Sequence, residues 1–187
     1  MRALDGWLKG AIAVWMAAWA ALHLYFGGFG FPEPIEMRSL HLLVFTPPLF
    51  LLYPAFTKHS PQTRPSILDW VWTLAAAAPH LWVFVNAGAV NDRMEYVDPF
   101  TPTMLTLGIV CMVTMLEAIR RAVEPGLAWM VAGCLLYMFF GHHLPGVLNT
   151  RNFQLNEIIE AAWLVPTAGG VYGPLTGIVA TTIAVFI

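Results

Sequence analysis

Glu117, Arg120 and Arg121 stand three and four residues apart, the spacing that stacks side chains on one face of an α-helix. An acid so placed pairs with both cations, and a helix end that neutralises itself makes an anchor. The same acid facing a bundle interior would instead offer a path for a proton or an ion, but acids on such paths usually lack a built-in cation. The expectation is a structural ion pair of Glu117 with Arg120 and Arg121. Asp69 and Asn86 are further polar positions near the ends of apolar runs, and each could anchor rather than conduct.

Six histidines raise the question of haem or metal chemistry. His23, His41 and His80 fall in or near apolar segments, and two histidines on facing helices could ligate a haem. Neither CxxCH nor HExxH occurs. The expectation is polar packing, with no catalytic, cofactor-binding or metal residue in the chain. His142 and His143 are adjacent, so on a helix they would point in different directions. Cys111 and Cys134 both lie inside apolar runs and read as small buried packing residues, not a disulfide or metal pair. No glycine-rich phosphate loop or nucleophile elbow is present, so an enzyme reading lacks a site. A net charge of −2 gives no basic footprint for nucleic acid.

The elements that must hold these side chains are long and apolar. Of 187 residues 58% are hydrophobic and 11% charged, where a soluble domain carries about 25% charged residues. Mean hydropathy is +0.67. Lipid can cover apolar side chains that water cannot, so an all-α polytopic membrane helix bundle is expected. Apolar runs cover 10–29, 39–56, 67–90, 101–119 and 125–140, giving five full transmembrane helices. The first run has a basic start and small residues at 18–20, as a signal peptide would, but it continues past them and reads as a retained helix. Pro47 and Pro48 predict a kink near Thr46, serving either fixed packing or a moving hinge. Leu155, Ile158, Ile159 and Ala162 recur at helical spacing with Glu157 and Glu160 on another face, which predicts a short amphipathic helix at the interface. The last run, 173–187, is shorter than the about twenty residues a span needs. It reads as a truncated sixth helix, the chain being a fragment or one piece of a split protein.

If five helices alternate, one set of connections holds Arg2, Lys9, Lys58, Arg64, Arg120 and Arg121, and the other Arg38, Arg93 and Arg151. The richer set faces the cytoplasm by the positive-inside rule, which places the N-terminus there. The acids Glu33, Glu36, Asp92, Glu95 and Asp98 then face outward, as a docking face for a soluble partner or as ordinary solvated loop.

The order of motifs resembles that of TRAP transporter fused permeases of the TAXI type. RSLHL at 38–42 and FLLYP at 50–54 are similar to that family's second helix, and Asp69-Trp70 and Asn86 to the limits of its third. LEAIRRAV at 116–123 resembles the end of its fourth helix. LLYMFFG at 135–141, LPGVL at 144–148, FQLNEII at 153–159 and GGVYGPLTG at 169–177 continue the series. The resemblance implies a four-helix small (Q-like) membrane component over 1–122 and the N-terminal part of a large (M-like) permease component over 123–187. It implies uptake of organic acids or similar solutes, handed over by an extracytoplasmic solute-binding protein and driven by a Na+ or H+ gradient. The setting would be a bacterial inner membrane, with the large permease component and the lipid bilayer as the other partners. The family's Gly/Ser-rich hairpins, which hold substrate and coupling ion, have no counterpart here, so no such residue transfers. The rival readings are a stand-alone membrane assembly or interaction protein and a haem-binding redox protein.

Overall fold

A computed structural model describes residues 2–56, 60–61 and 63–186. Lys58 and His59 lie outside these, as does the last residue, Ile187. The described chain is a helical membrane bundle, with no strand among those residues. Its α-helices are α1 (Trp7–Phe29), α2 (Pro34–Leu52), α3 (Ile67–Val85), α4 (Ala87–Asn91), α5 (Pro102–Ala122), α6 (Pro125–Phe140), α7 (Leu155–Trp163) and α8 (Pro174–Phe186). The spans Trp7–Phe29, Pro34–Leu52, Ile67–Val85, Pro102–Ala122 and Pro125–His143 are long and apolar enough to cross a membrane.

Prolines start helices where the missing N–H costs nothing: Pro34, Pro102, Pro125 and Pro174 open α2, α5, α6 and α8. This moves the start of α2 back from the expected 39 to Pro34, because Pro34 favours a helical first turn. The third apolar run, expected to reach 90, breaks at Asn86, whose Nδ2 donates to the Trp82 carbonyl at 2.8 Å. The fifth run matches α6 as expected.

α2 continues through Pro47 and Pro48, both buried. Pro48 has no N–H to give the Val44 carbonyl one turn back. The indole Nε1 of Trp15 on α1 donates to that carbonyl instead, at 3.2 Å. The proline therefore creates an acceptor that fastens α1 to α2. A second polar fastening lies further along, where His23 Nε2 and His41 Nδ1 are 3.2 Å apart. His23 Nδ1 donates to the Trp19 carbonyl at 2.8 Å. A carbonyl only accepts, so in the neutral ring Nε2 accepts from His41.

α2 is the centre of the bundle. Within the apolar windows, 61% of α2, 33% of α3 and 22% of α5 are buried, against 6% of α1 and 11% of α6. The amphipathic helix forms as α7, with Gln154 and Glu157 exchanging capping hydrogen bonds at its start. It packs its Ile159 and Trp163 on Gly108 of α5, where a β-carbon would collide with both side chains. Glu160 is not on a solvated face as its spacing suggests, but buried. After α7 the chain reverses at Gly169, whose φ of +79° favours glycine. Val171 N–H then returns to the Ala162 carbonyl at 2.8 Å.

Candidate functional site

Five charged side chains from three parts of the chain meet at one end of the bundle. Asp69 enters through the start of α3, where Ser66 is the N-cap and Asp69 the reciprocal partner of a capping box. Its Oδ2 accepts from Ser66 N–H at 2.9 Å and from Ser66 Oγ at 2.8 Å. The same oxygen accepts from Arg2 Nη2 at 2.9 Å, and Oδ1 accepts from Arg121 Nη1 at 2.7 Å. The side chains of Arg2, Asp69 and Arg121 have no exposed surface. A carboxylate at a helix N-terminus also faces the positive end of the helix dipole.

Arg120 and Arg121 come from the last turn of α5, and both pair with Glu117. Arg120 Nε donates to Oε2 at 2.7 Å and Arg120 Nη2 to Oε1 at 2.8 Å, while Arg121 Nε donates to Oε1 at 2.7 Å. With both oxygens so occupied, Glu117 is a bridging anchor.

Further donors cap the end of α2, whose last carbonyls have no partner within the helix, while Arg2 Nε holds the Pro61 carbonyl at 2.9 Å and Arg121 Nη2 is buried without an acceptor. Arg2 N–H and Nη1 donate to the Leu52 and Leu51 carbonyls at 2.7 and 2.9 Å. Arg121 Nη1 reaches the Tyr53 carbonyl at 3.2 Å and Arg120 Nη2 the Ala55 carbonyl at 3.0 Å. The Arg121 guanidinium lies 5.1 Å from the Phe50 ring centre and 5.9 Å from that of Trp72, rings that stack on each other. Three guanidiniums thus face two carboxylates, and backbone carbonyls and π-faces absorb the excess positive charge. Arginine stays protonated in proteins, so the cluster has the chemistry of a lock, not of a proton relay.

A smaller lock sits at the opposite end. Arg93 Nη1 donates to Glu160 Oε1 at 2.6 Å, and Tyr96 N–H donates to the same oxygen at 2.9 Å. Arg93 Nη2 also holds the Asp98 carbonyl at 2.8 Å, and Thr167 Oγ donates to Glu95 at 3.2 Å. The acidic loop 91–99 is therefore tied to α7 and to the link after it, while Asp92 and Glu95 stay exposed. Burial and the nearby carboxylates Glu160 and Glu95 push the Tyr96 phenol above its ordinary range.

Two further polar contacts lie outside the locks. His80 Nδ1 meets the buried Tyr172 hydroxyl at 2.7 Å, and Arg38 Nη1 donates to the Tyr172 carbonyl at 2.7 Å. An apolar cavity of about 420 Å³ separates α5 and α6 from the link after α7, lined by Met112, Met115, Leu135, Met138 and Val171 among others.

The structure brings Glu117, Arg120 and Arg121 together with Asp69, and places Asn86 apart at the far end of α3. His23 and His41 bond each other, and His80 sits elsewhere on Tyr172. Among the described residues no group of three or more histidine, cysteine or acidic side chains converges as metal ligands would. Cys111 is buried as expected, but Cys134 is exposed because it lies on the outward side of α6. Sequence reasoning missed Arg2, which entered only as one inward cation, and the buried partnership of Glu160 with Arg93. For Arg2 the available signal was a capping Ser66-x-x-Asp69 at an apolar helix start, which buries a carboxylate in need of a cation.

Comparisons with protein-family models, with curated proteins and with solved structures give no match to this chain.

Proposed function

We propose that this chain is a static scaffold part of a TRAP-type secondary active transporter of the TAXI fused-permease kind. In this reading residues 1–122 serve as the small membrane component and 123–187 begin the large permease component. The complete machine takes up organic acids or similar solutes from an extracytoplasmic binding protein, using a Na+ or H+ gradient across a bacterial inner membrane. The N-terminus and the Asp69 cluster face the cytoplasm.

The observation that supports this most is the fully buried Arg2–Asp69–Arg121 bridge. It fixes the chain start, the end of α2, the start of α3 and the end of α5 to one another. Moving any of these elements would expose an uncompensated charge to an apolar surrounding. An immobile flank, against which a moving permease part works, needs that property. The motif series described above supports the family reading, and six cations against three support the orientation.

The test is reconstitution. Proteoliposomes holding this chain, a large permease component and a solute-binding protein are expected to accumulate a labelled organic acid under an inward Na+ or H+ gradient. Omitting this chain should abolish accumulation. Uptake that proceeds equally without it, or failure of the two membrane components to co-purify, would contradict the proposal. Reversing Arg120 and Arg121 to acids should disturb insertion, and an unchanged reporter-fusion topology would refute the orientation.

A further inference from the structure

Arg38 differs from the cations of the two locks. Arg2, Arg93, Arg120 and Arg121 each pair with a carboxylate. Among the described residues no carboxylate pairs with Arg38, although Glu36 stands two positions before it. One of its donors, Nη1, is taken by the Tyr172 carbonyl. Its Nε is buried without an acceptor, and Nη2 makes no hydrogen bond to a described residue. Arg38 is half-buried, and a cation without a counter-charge within a membrane helix ordinarily faces a partner or a ligand.

What Arg38 faces is a cleft of about 390 Å³ between the start of α2 and the start of α8. Phe31, Pro34, Met37 and Ile178 are among its walls. The first turn of α8 comes so close that a β-carbon at Gly177 would lie 2.8 Å from Arg38 Nε. That turn contains no acidic residue, so the positive end of a thirteen-residue helix is also left without a counter-charge. Two positive features converge on one cavity whose other walls, Thr181 apart, are apolar. Arg38 lies four residues into α2, about 6 Å from its end at 1.5 Å per residue. A helix that spans the hydrocarbon core places such a residue near the level of the lipid headgroups.

We propose that this cleft is a binding site for a phosphate group, which sits on the Arg38 guanidinium and the first turn of α8; the acyl part of a phospholipid so held lies along Met37 and Ile178. An arginine presents paired donors that match phosphate oxygens, which lysine does not. Two sources share this chemistry: the headgroup of an anionic phospholipid and a free phosphate. The site does not depend on the transporter reading.

The test is native mass spectrometry of the delipidated protein in detergent, titrated with phosphatidylglycerol and with diacylglycerol of the same chains. Thermal unfolding with added inorganic phosphate is measured in parallel. Wild type is expected to bind phosphatidylglycerol at least tenfold more tightly than Arg38→Gln, and to discriminate against diacylglycerol by a similar factor. A thermal shift with inorganic phosphate in wild type but not in Arg38→Gln would assign the site to a soluble phosphate and still support it. Arg38→Gln also weakens the bond to the Tyr172 carbonyl and so risks misfolding. Ile178→Trp leaves that bond intact and fills the cleft from a partly exposed position. It is expected to lower phosphatidylglycerol binding by a comparable factor. Undiminished phosphatidylglycerol binding in folded Ile178→Trp, or equal binding of phosphatidylglycerol and diacylglycerol by wild type with no phosphate effect, would overturn the proposal.

Discussion

The core trio α2, α3 and α5 and the outer pair α1 and α6 use similar apolar residues to opposite ends. In α2 most of the apolar window is buried by protein, whereas in α1 and α6 nearly all of it is left for lipid. The trio is tied at its end by fully buried ion pairs. Among the described residues α1 is tied to α2 by hydrogen bonds without an ion pair, Trp15 to the Val44 carbonyl and His23 to His41. Between helices in lipid there is little hydrophobic driving force, because lipid tails are as apolar as leucine. What decides which helices are held rigidly is therefore the placement of a few polar groups, not greasiness.

That contrast can be broken from its strong side first. Asp69→Asn should leave Arg2 and Arg121 buried against a neutral partner and destabilise the bundle by about 3–5 kcal/mol, read as the midpoint of unfolding in a denaturing-detergent titration. Glu160→Gln removes the charged acceptor shared by Arg93 and Tyr96 N–H. It should cost about 1.5–3 kcal/mol, with faster hydrogen exchange at the Tyr96 amide. At the α5–α7 contact, Gly108→Ala should push Ile159 and Trp163 away and lower stability by about 1–3 kcal/mol, seen as a lower unfolding temperature. Trp15→Phe frees the Val44 carbonyl that Pro48 cannot satisfy, a loss of about 0.5–1.5 kcal/mol in the same assay. On the outward side of α6, Trp129→Ala should change stability by no more than about 0.5 kcal/mol. If Trp129→Ala cost as much as Asp69→Asn, the division into a locked trio and a loosely held pair would be wrong.

The helices themselves were legible from the sequence because their signal is local. A run of apolar residues between charges needs no knowledge of its neighbours; the proline start of α2 at Pro34 and the Gln154–Glu157 cap are local signals too, but ones the apolar runs alone do not carry. The pairing within Glu117, Arg120 and Arg121 was legible for the same reason, since helical spacing alone brings them together. The extension of that pair to Asp69 was not, because 52 residues separate Asp69 from Arg121 and nothing local says that α3 and α5 meet at that end. Arg2 was harder still, lying before the first helix and reaching Asp69 over 67 residues. Glu160 misled because a periodic acid on a short helix usually marks a solvated face, and only the fold brings Arg93 to it. Apolarity alone could not separate the break at Asn86 from a continuous run, since Ala87–Val90 is as apolar as what precedes it; the motif resemblance did set a helix limit at Asn86.

Comparing Asp69→Asn with the triple variant Arg2→Gln, Asp69→Asn, Arg121→Gln, by unfolding free energy in one detergent, goes to the heart of the account. If the three side chains form one buried electrostatic unit, removing the stranded cations should recover about 2 kcal/mol or more of what the single change loses. A triple variant that is no more stable than Asp69→Asn alone would show that the bridge does not hold the trio together.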